Sequence, residues 1–175
     1  MEVIKGGKIQ WIKITQPTEK ELEQIRKKYH LHHLIVDELK SASSRARIEV
    51  HGNYIYMIYY FPVFDAKEQV SRRSEIDFII AKNAVITVSY GTVKSFDDLQ
   101  KTLHPTSRAF ENTLQLTYAL LEALLLFQQR QLVHVQEKIE GISRHLFRER
   151  NRVREHELLE KISHVKRDVS QYRLI

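Results

Sequence analysis

The chain has 175 residues with a formal net charge of +6 and an isoelectric point near 9.5, enough for one domain with a hydrophobic core plus an extended helical arm. The basic balance suits an anionic partner, nucleic acid, a phospholipid surface or an acidic protein, without choosing among them. Cys is absent, which excludes a disulfide framework and any thiolate metal site and fits a reducing compartment.

The opening residues, Met1-Glu2-Val3-Ile4-Lys5-Gly6-Gly7, lack the apolar core of a signal peptide. Ile9, Trp11 and Ile14 within Lys8–Thr15 give a β-type pattern that ends at Pro17, so a first strand is expected there. Thr18 with Glu21 three residues on is a capping box, and Leu22, Ile25 and Tyr29 follow at helical spacing. This helix is expected to run to about His30, with a second, short one over Leu31–Leu39. Ile48–Val50 and Tyr54–Phe64 flank His51-Gly52-Asn53 as a hairpin, and Ile76–Ala81 with Ala84–Tyr90 form another around Lys82-Asn83. The apolar runs Phe78-Ile79-Ile80 and Val85-Ile86 point to strands buried on both faces. The fold class is therefore α/β: a mostly antiparallel sheet between helices, in an αβα sandwich.

From Ser107 onward the apolar period becomes helical. Leu114, Tyr118, Leu121, Leu125, Gln128, Leu132, Val135, Ile139, Ile142 and Leu146 alternate by four and three, a heptad seam. A second seam, Leu158, Ile162, Val165, Val169 and Tyr172, follows a charged break at Arg148–Glu157 and predicts an antiparallel helical arm. Residues 1–105 are expected to form the α/β domain and 106–175 the helical hairpin. Tyr118–Phe127, the most apolar stretch, contains Glu122 and is far shorter than the roughly 20 residues of a membrane span. The chain is thus expected to be soluble, and to continue past Ile175 in the natural protein, because the second seam is still in phase there without a stop signal.

Five scattered glycines assemble no phosphate-cradling loop, and His156-Glu157-Leu158-Leu159-Glu160 puts Glu160 where a zinc-protease helix needs its second His. With no Cys nucleophile and no nucleophile-elbow Ser, the chain is not expected to be an enzyme. Arg144, Arg148, Arg150, Arg152 and Arg154 are interleaved with acids and have almost no aromatic neighbours, which reads as a solvated hairpin tip and not a nucleic-acid site. The most chemically loaded cluster is His30, His32, His33, Asp37 and Glu38, with His33 and Asp37 one helical turn apart. Carboxylates suit Mg²⁺ and imidazoles softer ions, although on spacing alone a solvated helix end is the better account.

Several segments in order resemble the N-terminal cytoplasmic domain of the CorA family of magnesium and divalent-metal transporters. Trp11–Ile14 with Pro17 and a Glu-rich helix looks like its opening, and His32-His33-Leu34-Ile35-Val36-Asp37-Glu38 like its "His-Pro-Leu, then acidic pair" segment. Arg45–Val50 with Tyr54–Ile58, and Glu75–Ile80 with Asn83 and Val85–Val88, are similar to its following strands. The resemblance covers nearly the whole chain. Missing are the transmembrane helices and the Gly-Met-Asn signature, and His33 stands in place of the usual Pro. The resemblance implies the regulatory, cation-sensing domain of a Mg²⁺/Co²⁺ transporter or ion channel at the cytoplasmic face of the cell membrane, assembled as a homopentamer, with no nucleic-acid partner. It implies a weak regulatory Mg²⁺ held by Asp37 and Glu38, with His33 tilting preference toward Co²⁺ or Zn²⁺. The alternative is a freestanding helical-arm module that binds nucleic acid or an acidic protein.

Overall fold

A computed structural model describes residues 1–43, 45–65, 68, 70–148 and 155–173. In chain order the elements are β1 (Glu2–Gly6), β2 (Ile9–Thr15), α1 (Glu19–Tyr29), α2 (His33–Glu38), β3 (Arg47–Val50), β4 (Tyr54–Asp65), β5 (Val70–Ala81) and β6 (Ala84–Ser89). There follow α3 (Lys94–Thr102), a 3-10 turn at Arg108–Phe110, α4 (Thr113–Arg148) and α5 (Glu155–Arg173). The six strands form one sheet in the order β1-β2-β6-β5-β4-β3. The β1/β2, β5/β6 and β3/β4 pairs are antiparallel; β2 and β6 are parallel, with Trp11 opposite Val85 and Ile14 opposite Val88.

The chain divides into two compact units, residues 1–60 with 75–124, and residues 61–74 with 125–175. In the first, the central strands β2, β6 and β5 from Ile76 on are largely buried on both faces, whereas the edge strands β1 and β3 are mostly exposed. On one side Ile12, Ile14, Ile79, Ile86 and Val88 meet Leu22, Ile25 and Tyr29 of α1 and Ile35 and Val36 of α2. On the other, Trp11 and Phe78 present their rings to Phe96 of α3, edge to face at 5.3 and 6.3 Å between centroids. The Trp11 indole N–H donates to the Thr87 hydroxyl at 2.9 Å, so this fully buried ring carries no unmet donor. The alternation Trp11-Ile12-Lys13-Ile14 thus feeds two half-cores, each side chain of which contributes about 1.5 to 3 kcal/mol when buried. Gly6 is required where it stands, because a Cβ there would sit 2.2 Å from the Phe110 ring.

In the second unit, Phe61 packs near Phe127 and Phe64 stacks on His134, with centroids 6.3 and 5.9 Å apart. The Lys138 ammonium lies over the Phe64 ring and 2.6 Å from Asp168, a fully buried carboxylate that also accepts the Ser71 backbone N–H. Along one straight helix Lys138 and Asp168 would be about 45 Å apart, so their contact requires α5 to return antiparallel along α4. The reversal itself, at 149–154, lies outside the described residues.

The heptad seam on α4 is rotated from the one expected. Of its two positions per heptad, Leu121, Gln128, Val135 and Ile142 are buried or half-buried, but Tyr118, Leu125, Leu132 and Ile139 are exposed. Their place is taken one residue earlier by Thr117, Leu124, Gln131 and Lys138. Leu114 is exposed too, and the Leu146 side chain lies outside the described residues. Partners explain the shift: Thr117 donates its hydroxyl to the Thr113 carbonyl at 2.8 Å and Lys138 pairs with Asp168. A polar side chain with a partner can occupy an inner position that a hydrophobicity pattern assigns to its apolar neighbour. On α5 likewise Leu158 and Val165 are half-buried, Ile162 and Val169 are exposed, and Asp168 is inside; the Tyr172 side chain is outside the described residues.

Candidate metal-regulation site

Both turns of the capping box at the start of α1 are formed. The Glu21 N–H donates to the Thr18 hydroxyl at 3.3 Å, and the Glu21 carboxylate accepts the Thr18 N–H at 2.9 Å and the Met1 ammonium at 2.6 Å. The ammonium and then the Thr18 N–H hold the Glu21 carboxyl down at about 2. His30 ends α1 in the left-handed region, φ 53°, which stops the helix and sends the chain to α2. α2 is shorter than expected, beginning at His33, because the His32 ring caps it by accepting the Leu34 N–H at 3.3 Å. The rings of His32 and His33 lie side by side, 4.4 Å between centroids.

His33 and Asp37 together line a cleft of about 340 Å³ between α1 and α2, with Glu19, Glu23, Arg26 and Lys40. Arg26 grips Glu23 through two bonds of 2.7 and 2.8 Å, and Lys40 donates to Asp37 at 2.8 Å. Lys40 chiefly, with a smaller contribution from His33, holds the Asp37 carboxyl below its ordinary value. Three carboxylates share the cleft with two permanent cations, which leaves it net negative. Glu38 leaves α2 in another direction and pairs with Arg47 on β3, which also holds Glu49 at 2.5 Å. The adjacent carboxylates therefore serve different surroundings, and each already has a cation of its own. Among the described residues no group of three or more His, Asp or Glu side chains is arranged to hold a metal ion.

Glu19 and Glu23 were not among the residues singled out from the sequence; their four-residue spacing on α1, facing α2, is the signal that finds them. Of the basic stretch at the helical reversal, Arg150, Arg152 and Arg154 lie outside the described residues, and the Arg144 guanidinium donates to the Glu140 carbonyl at 3.4 Å.

This fold has relatives. The sequence profile of the CorA-like Mg²⁺ transporter protein family matches residues 6–175. The chain belongs to the CorA family. Among curated CorA proteins, the magnesium transport proteins CorA of two Helicobacter pylori strains are each 24% identical over 119 residues, 68% of this chain and 37% of theirs. The soluble domain of CorA from Methanocaldococcus jannaschii superposes with a TM-score of 0.78 at 20% identity, over 94% of this chain and 64% of that one. The complete CorA magnesium transporter of the same organism gives 0.73 at 19% identity, over 94% and 51%. The cytoplasmic domain of ZntB from Vibrio parahaemolyticus gives 0.63 at 14% identity, over 94% and 66%. At these identities the structures establish the fold: this chain has that of a CorA soluble domain. It spans a little over a third of the length of the curated CorA relatives it matches. Among the described residues no helix is long and apolar enough to cross a membrane.

Proposed function

We propose that this chain is the divalent-cation-sensing part of a CorA-type Mg²⁺ transporter, lying at the cytoplasmic face of the membrane, and that it plays no catalytic role. The observation that carries this reading is the exposed, net-negative cleft holding Asp37 and His33, with Glu38 on the adjoining surface, in a chain of the CorA family. A hard cation takes six or more oxygens, and this cleft offers too few by itself. The missing donors would come from a neighbouring copy in a homopentamer, or from the remainder of the transporter.

Without a divalent ion, Lys40 and Arg47 neutralise Asp37 and Glu38 within one copy. When a second acidic surface approaches, carboxylates across the junction repel, and a bridging Mg²⁺ reverses that repulsion and favours the assembled arrangement. Bound cation then holds the pore closed, and depletion loosens it. His33 adds an imidazole beside Asp37, the donor through which Co²⁺ or Zn²⁺ would compete with Mg²⁺.

The test is Mg²⁺ flux into proteoliposomes holding the whole protein that contains this chain, at graded Mg²⁺ on the side of this domain. Asp37→Asn with Glu38→Gln should raise the Mg²⁺ concentration needed to silence flux by roughly tenfold, the effect of losing about 1.4 kcal/mol of binding. An unaltered inhibition curve in the double variant would refute the assignment. His33→Ala should leave the Mg²⁺ response in place and weaken that to Zn²⁺.

A further inference from the structure

A cleft of about 550 Å³ opens where the end of α1, the β3–β4 turn, the β5–β6 turn and the start of α4 meet. Lys28, His30, His51 and Lys82 line it with Asn53 and Asn83, and no Asp or Glu does. It shares no residue with the net-negative cleft around Asp37 and His33. Its walls are pinned. Gln10 donates its side-chain amide to the Tyr29 hydroxyl at 2.8 Å and its backbone N–H to the Asn83 carbonyl at 3.1 Å, which ties the end of α1 and the β5–β6 turn to one residue of β2. The His51 N–H donates to the Tyr54 carbonyl at 2.9 Å, the two rings stack 4.7 Å apart, and the Tyr54 hydroxyl accepts the His32 N–H at 3.1 Å, which ties the β3–β4 turn to the α1–α2 connection.

The cations of this cleft are not neutralised by acids. Among the described residues neither Lys28 nor Lys82 forms an ion pair, and the Lys28 ammonium lies over the Tyr29 ring, 5.2 Å from its centroid. One ring nitrogen of His51 is 3.3 Å from Glu49, an acid that Arg47 already holds. Beside these groups the cleft has an apolar side, Ile55 and Ile80, with Leu114 at its lip, 66% exposed.

We propose that this cleft binds an organic phosphate. The phosphate oxygens accept from the two ammoniums, the imidazoles and the asparagine amides, and the rest of the ligand lies against Ile55, Ile80 and Leu114. Two permanent cations with no carboxylate between them favour an anion, and walls already held by hydrogen bonds need little ordering when it arrives. The volume is that of a small-molecule site. The donors come from segments far apart in the chain, so no glycine-rich loop announces them in the sequence. A nucleotide and a phospholipid headgroup offer the same chemistry, and the experiment separates them.

The experiment is an NMR titration of this chain in metal-free buffer at about 50 mM salt, followed through its backbone amides. The probes, added separately, are ATP, inorganic pyrophosphate, and phosphatidylcholine vesicles with and without phosphatidic acid. ATP should saturate at about millimolar concentration or below, shift the Gly52, Asn53, Asn83 and Leu114 amides, and bind at least about threefold more tightly than pyrophosphate, which has no body to lay on the apolar side. Saturation by phosphatidic acid vesicles and not by ATP, at the same amides, would assign the cleft to a lipid headgroup. Lys28→Gln with Lys82→Gln should weaken binding at least about tenfold with the unfolding midpoint unchanged. Lys20→Gln with Lys94→Gln, which removes the same charge from exposed positions outside the cleft, should change it by no more than about twofold. Failure of both ATP and phosphatidic acid to saturate, shifts that miss the cleft, pyrophosphate binding as tightly as ATP, or equal weakening by the two lysine pairs would overturn the proposal.

Discussion

Asp168 is a fully buried carboxylate that accepts from the Lys138 ammonium and the Ser71 N–H. Asp168→Ala should lower stability by about 1 to 3 kcal/mol, read as a lower urea midpoint, because the buried Ser71 N–H loses its acceptor and the Lys138 ammonium its carboxylate. Asp168→Asn, which keeps an acceptor for Ser71, should cost less; equal losses would show that the ammonium and not the N–H dominates. Asp77 has the opposite sign to an ordinary carboxylate. Its folded value of about 7 lies above the ordinary 3.8, so the stability it contributes is complete below about pH 4 and is lost as pH rises toward 7. The loss is about 4 kcal/mol at most, and Asp77→Asn should flatten that part of a stability-against-pH curve. A wild-type curve that rises steadily from pH 4 to 7 and is unchanged in the variant would contradict this. Neither residue announces itself in the sequence: Asp168 sits in a polar helix face, and Asp77 interrupts an apolar run whose other members dictate the strand.

At the scale of elements, α1 was legible to within a residue because its start and stop are local chemistry, a capping box and a left-handed His30. Thr18→Ala should cost about 1 kcal/mol, seen as a small loss of thermal stability, and no loss would mean that Glu21 is held by the Met1 ammonium alone. β1 was missed because five residues with adjacent Val3 and Ile4 carry no alternation, and α3 because its cap position, Val93, offers no side-chain bond. The α4 seam was legible as a period but not as a face. Leu124 is fully buried and Leu125 is 51% exposed, so Leu124→Ala should cost about 2 to 5 kcal/mol and Leu125→Ala no more than about 1. Denaturation midpoints in the reverse order would restore the original seam. Periodicity assigns the apolar stripe Tyr118, Leu125, Leu132 and Ile139 to the core because the inner positions held by Thr117 and Lys138 depend on partners that it does not reveal.

For the whole molecule, the succession of short motifs carried the family and the α/β architecture, while the parallel β2/β6 pairing was not readable, since it depends on which distant strands meet. The acid pair was readable too, but its partners were not: Lys40 pairs with Asp37 and Arg47 with Glu38. If Asp37 and Glu38 form one half of the shared Mg²⁺ site proposed above, added Mg²⁺ raises the unfolding temperature only where the other half is present. This chain alone should gain little, because its cleft lacks the remaining donors. The whole protein that contains this chain, with Mg²⁺ at about ten times Kd, should gain about 1.4 kcal/mol, a rise of at most about 3 to 6 °C and less for a longer cooperative unit. Asp37→Ala with Glu38→Ala should remove that rise. If the doubly substituted protein keeps the full rise, the cation is held elsewhere and these two carboxylates are not its ligands.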